Sequence, residues 1–464
     1  MRIILSFPLS SDEIADAIGC EKKYKHAFTV EAIVTDSREA EAQDLFVALE
    51  GDSDTGEKYI YDARNKGAYI LSKINESSDF NVSDTALALL KIAKYYKTKF
   101  KKLKSTVAIT GSVGKTTTKN IVAKMLSKKF KVHKTHENFN NFLGVAHTLF
   151  SMPKDTEILV CELGMNHAGE IRLLSKVISP DLSVITNIGS AHIGNLGSRE
   201  AIASAKLEIL GGMKKESVII PYDEPLLEAT KGKITFSLTN NSADCFIETT
   251  AENTEFTIAD LYVRKKKILS QKIELPGRHI LFGVAIGALV LDTLAFSAEE
   301  ISDAIDNLHG ESTRGKIKAV AGLTFYDDTY SSSPEALIAN FDFVSLLRPR
   351  KISCVLGDML ELGDESERLH KYIGKKVFEY GFEKLFTFGE NASYIAQGAI
   401  EAGMSKNKIY ENSDVESPEI TARQVYSSCS GDEIILCKAS HSIRASRIYE
   451  FIEKLSESEG YLNA

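Results

Sequence analysis

The feature that most constrains this chain is a glycine-containing stretch at residues 107–120, which reads Val-Ala-Ile-Thr-Gly-Ser-Val-Gly-Lys-Thr-Thr-Thr-Lys-Asn. Apolar, mostly β-branched residues lead into two glycines, and apolar residues at helical spacing follow Lys115 and Thr116. This order predicts a strand, a tight turn and a helix. Glycines let the backbone approach an anion, the start of a helix presents unpaired N–H groups, and Lys115 adds a positive charge. The hydroxyl of Thr116 is suited to bind Mg²⁺, so the stretch predicts a nucleoside triphosphate site.

This nucleotide loop is a short variant of the common phosphate-binding pattern. That pattern places a glycine five residues before Gly114, and this sequence has Ile109 there. A bare Gly-Lys-Thr would also suit an ordinary strand-to-helix turn, but the preceding strand and the additional threonines favour nucleotide binding. The residues predicted to contact the nucleotide are Gly111, Ser112, Gly114, Lys115, Thr116 and Thr117.

Net charge, the length of apolar runs and the spacing of cysteines limit the kinds of partner and site expected for this chain. The net charge of −8 argues against nucleic acid or an anionic membrane, because both attract proteins through a positive field. The sequence begins without a charged and apolar leader, and its longest apolar run, residues 282–291, is far shorter than the about 20 residues of a membrane helix. We therefore expect a cytoplasmic protein without a membrane span. The six cysteines include no Cys-x-x-Cys pair, which predicts neither a zinc site nor a disulfide framework.

Length and pattern together predict three α/β domains at residues 1–83, 84–311 and 312–464. In the first, the pattern predicts a helix at 11–18 and strands near 32–35 and 45–49. In the last, four strand runs, the first at 323–326, predict a second doubly wound unit.

The central unit carries the clearest functional pattern. Buried-strand runs at 158–162 and 182–186 alternate with helical segments, which predicts a parallel sheet, and short alternating pieces within 232–275 predict an antiparallel extension. Functional groups collect at the carboxyl ends of parallel strands. Glu162 and His192 follow such strands, as the nucleotide loop does, so we expect them near the nucleotide.

Seven motifs follow one another along the chain and make the assignment specific. Together they resemble the Mur ligase family, and within it the members that add D-Ala-D-Ala to UDP-MurNAc-tripeptide. The motifs are Thr35-Asp36-Ser37-Arg38, residues 110–119, Asn138-Phe139-Asn140-Asn141, residues 162–171, residues 186–192, Ala205-Lys206-Leu207-Glu208-Ile209 and Asp327-Asp328-Thr329-Tyr330.

The resemblance implies a three-domain α/β architecture. A central P-loop domain with a parallel sheet would bind ATP, a small N-terminal α/β domain would bind the UDP-substrate, and a C-terminal Rossmann-like α/β domain would close on the nucleotide and the amine. It also implies an ADP-forming ligase of peptidoglycan precursor synthesis, acting as a monomer. ATP would phosphorylate the carboxylate of the UDP-linked peptide, and the amine of D-Ala-D-Ala would attack the acyl phosphate.

The resemblance further implies a role for individual residues of the nucleotide site. Lys115 would hold the β- and γ-phosphates, and Thr116 with Glu162 would bind the first Mg²⁺. His192 would bind a second Mg²⁺, bridged by a carbamate formed on Lys206. A carbamate supplies the oxygen ligands that Mg²⁺ prefers, whereas an unmodified ammonium would be repelled by the metal.

Other implied positions belong to the substrates. The peptide side of the cleft would be lined by Asn138, Asn140 and Asn141, and the UDP-binding corner by Ser37 and Arg38. Asp327 or Asp328, with the neighbouring Arg314 or Lys316, matches the region that contacts the nucleotide ribose and phosphates when the third domain closes.

The chain also departs from the family pattern in three places. It has His279-Ile280-Leu281-Phe282-Gly283 where the family has His-Asn-x-x-Asn, so two amides expected near adenine are lost. It has Ser331-Ser332-Ser333 in place of Asn-Ala-Asn, and Lys316 in place of an arginine. These departures leave two alternatives open: a paralogue that joins a different carboxylate and amine, and a nucleotide-binding protein without ligase activity.

Overall fold

Three β-sheets follow one another along the chain in the computed structural model. The structure describes residues 1–22, 24, 26–51, 54–74, 78–253, 255–274, 277–306, 308, 315–348 and 350–462. The sheets span residues 2–81, 105–273 and 316–438, so the α/β class predicted from the sequence is confirmed. The boundaries predicted at 83 and 311 fall between sheets and stay predictions. Within the described ranges, no helix is both long and apolar enough to cross a membrane.

The first sheet has five strands in sequence order, with β1 antiparallel to β2 and the others parallel. The predicted helix at 11–18 is confirmed, and Ser10 caps it in a reciprocal capping box with Glu13. The sequence pattern missed β1, an edge strand whose register shifts between Ile4 and Leu9 around Pro8. The elements are β1 (Arg2–Ser10), α1 (Ser11–Ile18), β2 (Thr29–Val34), β3 (Asp44–Val47), α2 (Ile60–Asn65), β4 (Tyr69–Ser72), β5 (Phe80–Asn81) and α3 (Thr85–Lys97).

The second sheet has nine strands in the order 14-13-12-11-10-9-6-8-7, which places the strand before the nucleotide loop at its centre. The elements are β6 (Ser105–Thr110), α4 (Lys115–Leu126), β7 (Val132–Lys134), α5 (Phe142–Phe150), β8 (Ile158–Glu162), α6 (Glu170–Ile178), β9 (Leu182–Ile185), α7 (Ile193–Leu196), α8 (Arg199–Leu207), β10 (Val218–Pro221), β11 (Lys233–Ser237), β12 (Cys245–Glu252), β13 (Thr257–Val263), β14 (Lys266–Ile273), α9 (Arg278–Thr293) and α10 (Ala298–Asp306).

The predicted antiparallel extension of this sheet is correct only in part. β12, β13 and β14 pair antiparallel, but β11 pairs parallel with both β10 and β12 and continues the central parallel sheet. The short run in β11 could not be told from a hairpin strand by alternation alone. Helix α9 packs against α4 and against strands β11, β12 and β13 of this sheet.

The third sheet has the order 15-16-20-17-18-19, with five parallel strands and an antiparallel edge strand, β15. The order reverses at β20, which is the doubly wound arrangement predicted from the sequence. The elements are β15 (Lys316–Val320), β16 (Leu323–Asp327), α11 (Pro334–Ser345), β17 (Ile352–Gly357), α12 (Ser366–Glu379), β18 (Leu385–Phe388), α13 (Ser393–Ala402), β19 (Ile409–Asn412), α14 (Pro418–Ser428), β20 (Ile434–Lys438) and α15 (Arg447–Leu462).

The first and second units are joined by helix α3 and by polar contacts from β1. The buried hydroxyl of Tyr96 on α3 accepts a hydrogen bond from the backbone N–H of Phe7 at 3.1 Å. The hydroxyl of Ser6 donates to the carbonyl of Met152 at the end of α5, at 2.7 Å. These contacts fix the first sheet against the central unit at one side of the cleft.

We expect Tyr96→Phe to destabilise this junction by about 1–3 kcal/mol, because the Phe7 N–H loses its acceptor. Tyr95→Phe is the matched control, since Tyr95 donates to Glu13, which keeps its bonds to Ser10 and Lys99. The measurement is the midpoint of the first urea unfolding transition. Equal shifts for the two variants would show that the Tyr96 hydroxyl does not hold the junction.

Candidate active site

Steric contacts shape the turn between β6 and α4. Gly111 has φ +149°, and a Cβ at this position would lie 1.9 Å from Oγ1 of Thr186. That oxygen is already engaged, since Thr186 donates its hydroxyl proton to the carbonyl of Val113 at 2.6 Å. Gly114 has φ +80° and forms the N-cap of α4. The two glycines are therefore required for different reasons, one for space and one for backbone conformation.

Asn187 holds the nucleotide loop from the neighbouring strand end. Its Oδ1 accepts from the backbone N–H groups of Ser112 and Val113, at 3.1 and 3.0 Å, and its Nδ2 donates to the carbonyl of Val113 at 3.1 Å. The hydroxyl of Ser112 in turn accepts from the N–H of Gly189 at 2.9 Å. The sequence motifs include Asn187 but predicted no role for it. Its position after a parallel strand, next to the nucleotide loop, was the signal that could have predicted a contact with the loop.

Glu162 lies at the end of β8, fully buried, and faces the start of α4. Its Oε1 accepts from the hydroxyl of Thr116 at 3.1 Å and from Nδ2 of Asn140 at 2.8 Å. Its Oε2 accepts no hydrogen bond from any residue that the structure describes, although Nζ of Lys119 lies 3.4 Å away. A buried carboxylate oxygen without a donor favours a cation beside it.

These residues fit a magnesium ion. A hydroxyl and a carboxylate are the hard oxygen ligands that Mg²⁺ prefers, and it normally completes its shell with water and substrate phosphates. The described residues contain no cluster of three or more His, Cys, Asp or Glu side chains able to hold a metal ion. Sequence reasoning missed Lys119, which is the cation that balances Glu162.

Lys206 and His192 line the same cavity as Lys115. Lys206 sits on α8 with 2% of its side chain exposed. Burial, together with the positive charge of Lys115, lowers the pKa of Lys206 well below its ordinary value. His192 has φ +66°, and its Nδ1 lies 2.5 Å from Oε2 of Glu361 in the third unit. This proximity lowers the pKa of the Glu361 carboxyl.

The three candidate asparagines differ in their surroundings. Asn140 binds Glu162, and its side chain packs against Gly164, where a Cβ would lie 2.4 Å from Oδ1. Asn141 caps α5 by accepting from the N–H of Gly144 at 2.9 Å. Asn138 lines the cavity together with the other two. Asn141 therefore has a structural task besides any contact with substrate.

The third unit contributes Asp328 rather than Asp327 to the cavity. Asp328 is buried, and its Oδ2 accepts from Nζ of Lys438 at 2.5 Å and from Nδ2 of Asn340 at 2.7 Å. Asp327 instead accepts from Thr329 and does not line the cavity. Lys316 is exposed on the edge strand β15, outside the cavity lining. Arg314 lies outside the described residues.

Ser37 and Arg38 lie apart from this cavity, in the first unit. Asp36 accepts two hydrogen bonds from the guanidinium of Arg38, at 2.9 and 2.6 Å. The same contact lowers the pKa of the Asp36 carboxyl far below its usual range. The Arg38 side chain remains 87% exposed, and its role at a UDP-binding corner stays a prediction.

The remaining candidates converge on one cavity of about 1820 Å³. All six residues predicted to contact the nucleotide line it, with Glu162, His192, Lys206 and the three asparagines. Helix α3, the central unit and the third unit all contribute to its walls. The arrangement brings the predicted nucleotide loop, the buried carboxylate of Glu162 and the buried Lys206 together around one cavity.

Comparisons with known proteins agree with this geometry. Residues 109–291 match the Mur ligase middle domain, and residues 313–441 match the Mur ligase glutamate ligase domain. The chain is 34% identical over 449 residues to the UDP-N-acetylmuramoyl-tripeptide–D-alanyl-D-alanine ligase of Bacillus subtilis (strain 168), covering 92% of this chain and 94% of that protein. The chain belongs to the Mur ligase family.

Solved structures of Mur ligases support the same assignment. MurF from Acinetobacter baumannii superimposes with a TM-score of 0.86 at 26% identity, covering 98% of this chain and 100% of that one. The MurF ligase from Thermotoga maritima in complex with ADP gives a TM-score of 0.79 at 29% identity, covering 92% and 98%. The predicted three-domain Mur ligase architecture is thus confirmed.

As a Mur ligase, the chain has an unusual wall where the family amides are lost. Ile280 is fully buried in the apolar core beneath α9, and Gly283 packs against Ile121 of α4. Phe282, 41% exposed, lines the cavity, and its ring lies 6.0 Å from that of Phe236. Phe282 is therefore an apolar part of this wall, beside the polar residues Asp223, Ser237 and Thr239 that also line the cavity.

We expect Gly111→Ala to abolish ATP binding, because the new methyl group would occupy the position of the Thr186 hydroxyl and displace the loop. Gly114→Ala is the matched control, since a Cβ there meets no atom within 4 Å and costs only the about 1–2 kcal/mol of a left-handed backbone. Isothermal titration calorimetry with ATP and Mg²⁺ measures both. Equal losses would mean that backbone conformation, and not the contact with Thr186, determines the loop.

Proposed function

We propose that this Mur ligase joins D-Ala-D-Ala to UDP-MurNAc-tripeptide at the expense of ATP, in peptidoglycan precursor synthesis. The observation that carries the proposal is the joint placement of Lys115, Thr116, Glu162, His192 and Lys206 in one cavity that the third domain helps to form. The relatives from Bacillus subtilis and from Rickettsia prowazekii (strain Madrid E), the latter 30% identical over 95% of this chain and 97% of that protein, carry this activity in their names.

The chemistry requires positioning and charge neutralisation rather than an enzyme nucleophile. The N–H groups at the start of α4 and the ammonium of Lys115 bind the phosphates, and Asn187 keeps the loop in the shape that presents them. Thr116 and Glu162 would hold a Mg²⁺ ion, which when bound would withdraw charge from the phosphate oxygens. The carboxylate of the peptide attacks the γ-phosphate of ATP, which gives an acyl phosphate and releases ADP. The amine then attacks the acyl carbon, inorganic phosphate leaves, and the nitrogen loses a proton as the amide forms.

We further propose that Lys206 carries a carbamate that holds a second Mg²⁺ with His192. Formation of a carbamate requires a neutral amine, whose lone pair attacks carbon dioxide while one N–H proton leaves. Burial and the charge of Lys115 favour the neutral form of Lys206. The modified side chain is an anion, so it would also offset the positive charge of Lys115.

The remaining assignments extend the proposal to the other substrates. We assign residues 1–83 to the UDP-substrate, with Ser37 and Arg38 at its corner, and residues 84–311 to ATP. Residues 312–464 close on the nucleotide through Asp328, and Asn138 and Asn140 face the peptide. We also infer a cytoplasmic monomer, on the basis of the resemblance alone.

Purified protein with ATP, Mg²⁺, UDP-MurNAc-tripeptide and D-Ala-D-Ala should release ADP and phosphate and yield UDP-MurNAc-pentapeptide, measured by coupled ADP assay and mass spectrometry. Lys115→Ala should lower kcat at least about 100-fold, because a charge on the transferred phosphate loses its partner. ADP release with another amine and no pentapeptide would favour a paralogue. Phosphate release unaffected by Lys115→Ala would mean that the catalytic assignment is wrong.

The carbamate can be observed directly. Protein equilibrated with ¹³C-bicarbonate should show a carbamate carbon resonance in its ¹³C spectrum, and Lys206→Arg, which has no amine able to form a carbamate, should lack it. Acidification should remove the signal, because protons displace carbon dioxide from a carbamate. A spectrum unchanged by Lys206→Arg would place the modification elsewhere or exclude it.

A further inference from the structure

Glu335 of the third domain reaches the segment that supports the nucleotide loop. It lies in the first turn of α11, and its Oε1 accepts from the backbone N–H and the hydroxyl of Ser190, at 2.8 and 2.9 Å. Gly189 leaves room for it, because a Cβ there would lie 2.7 Å from Cδ of Glu335. The N–H of Gly189 donates to Ser112 of the nucleotide loop. The carboxylate is therefore held directly beside the end of the phosphate-binding loop.

The second carboxylate oxygen of Glu335 is available for a ligand. Oε2 is buried, and none of the described residues donates a hydrogen bond to it or forms an ion pair with it. Burying an unpaired carboxylate oxygen is costly unless a donor or a cation accompanies it. Ser332 lies three residues earlier, and its buried hydroxyl also lacks a partner among the described residues. Both residues line the cavity.

The other carboxylates of the cavity are already engaged. Among the described residues that line it, only Glu162 and Glu335 have a buried carboxylate oxygen without a hydrogen-bond donor. Glu162 has Lys119 at 3.4 Å and, under the proposed function, a Mg²⁺ ion. No described residue places a cation at Glu335, which favours a bound molecule as the source of the complementary charge.

We propose that Glu335 binds the ammonium group of the incoming amine, with Ser332 as a second polar contact. This inference rests on the proposed ligase function, which makes D-Ala-D-Ala the acceptor. The acyl phosphate forms beside the nucleotide loop, so the amine must reach the same place. The lysines of the cavity complement phosphates and carboxylates, whereas an ammonium requires a carboxylate, and Glu335 places one beside the segment that contacts the loop.

The first test is Glu335→Gln, which keeps an oxygen acceptor for Ser190 and removes the negative charge. We expect the KM for D-Ala-D-Ala to rise about 10- to 100-fold, which corresponds to the loss of one charged hydrogen bond. The KM values for ATP and for UDP-MurNAc-tripeptide should stay close to those of the unaltered protein. Asp342→Asn is the matched control, because Asp342 lies on the same helix and its carboxylate already accepts from Tyr380 at 2.6 Å.

The second test replaces the acceptor with hydroxylamine, which is largely uncharged at neutral pH and traps acyl phosphates as hydroxamates. Glu335→Gln should form hydroxamate at the rate of the unaltered protein, since no ammonium needs to be bound. An equal loss with both acceptors would assign Glu335 to domain contact, and an unchanged KM for D-Ala-D-Ala would also overturn the inference. If the unaltered protein forms hydroxamate but no pentapeptide, the proposed acceptor is wrong. In that case Glu335→Gln should still raise the KM for the primary amine that the protein does accept. If it does not, the assignment of Glu335 to the ammonium group is also wrong.

Discussion

The hydrogen bonds between Asn187 and the nucleotide loop are the contacts on which the rest of the cleft depends. Glycine restricts its own backbone dihedrals least, and Gly111 adopts φ +149° in this loop. The shape of the loop therefore depends on contacts with neighbouring residues. Asn187 supplies three hydrogen bonds to it, and Thr186 fills the space that a side chain at position 111 would need. A preorganised loop binds phosphates without the entropy cost of ordering it first.

The same strand end also contacts the third domain. Residues 189–194 accommodate Glu335 on one side and the 361–363 backbone on the other, where the N–H of Gly194 donates to the carbonyl of Glu361 at 2.9 Å. A Cβ on Gly194 would lie 2.5 Å from the backbone nitrogen of Gly363, so the two backbones touch. One short segment therefore contacts both the nucleotide loop and the third domain.

Sequence reasoning found the parts of the site that are local. The strand, turn and helix of the nucleotide loop and the strand ending at Glu162 could be predicted because hydrophobic period and turn chemistry act within a few residues. The pairs Glu162 with Lys119, His192 with Glu361 and Ser190 with Glu335 could not, since each depends on how separate elements pack.

The choice between Asp327 and Asp328 illustrates the same limit. Both follow the same strand, and either would suit the motif. Asp327 still pairs with β20 and points toward Thr329 and Lys318, whereas Asp328 faces Lys438, the last residue of β20. Strand alternation gives the two side chains opposite faces, but only the sheet order shows which face meets the cavity.

The loss of the family amides changes where this chain can obtain specificity. The exposed ring of Phe282 can stack on a base, but stacking discriminates between bases by shape alone, which is worth far less than a hydrogen bond left unpaired by the wrong ligand. The nearby Asp223 accepts through Oδ2 from the hydroxyls of Ser237 and Thr239, at 2.5 and 3.2 Å. Under the proposed function, the nucleotide is therefore recognised mainly through its phosphates. Selectivity then depends on the polar, charged part of the cleft, where the unpaired carboxylate oxygen of Glu335 favours an acceptor that brings a cation to it.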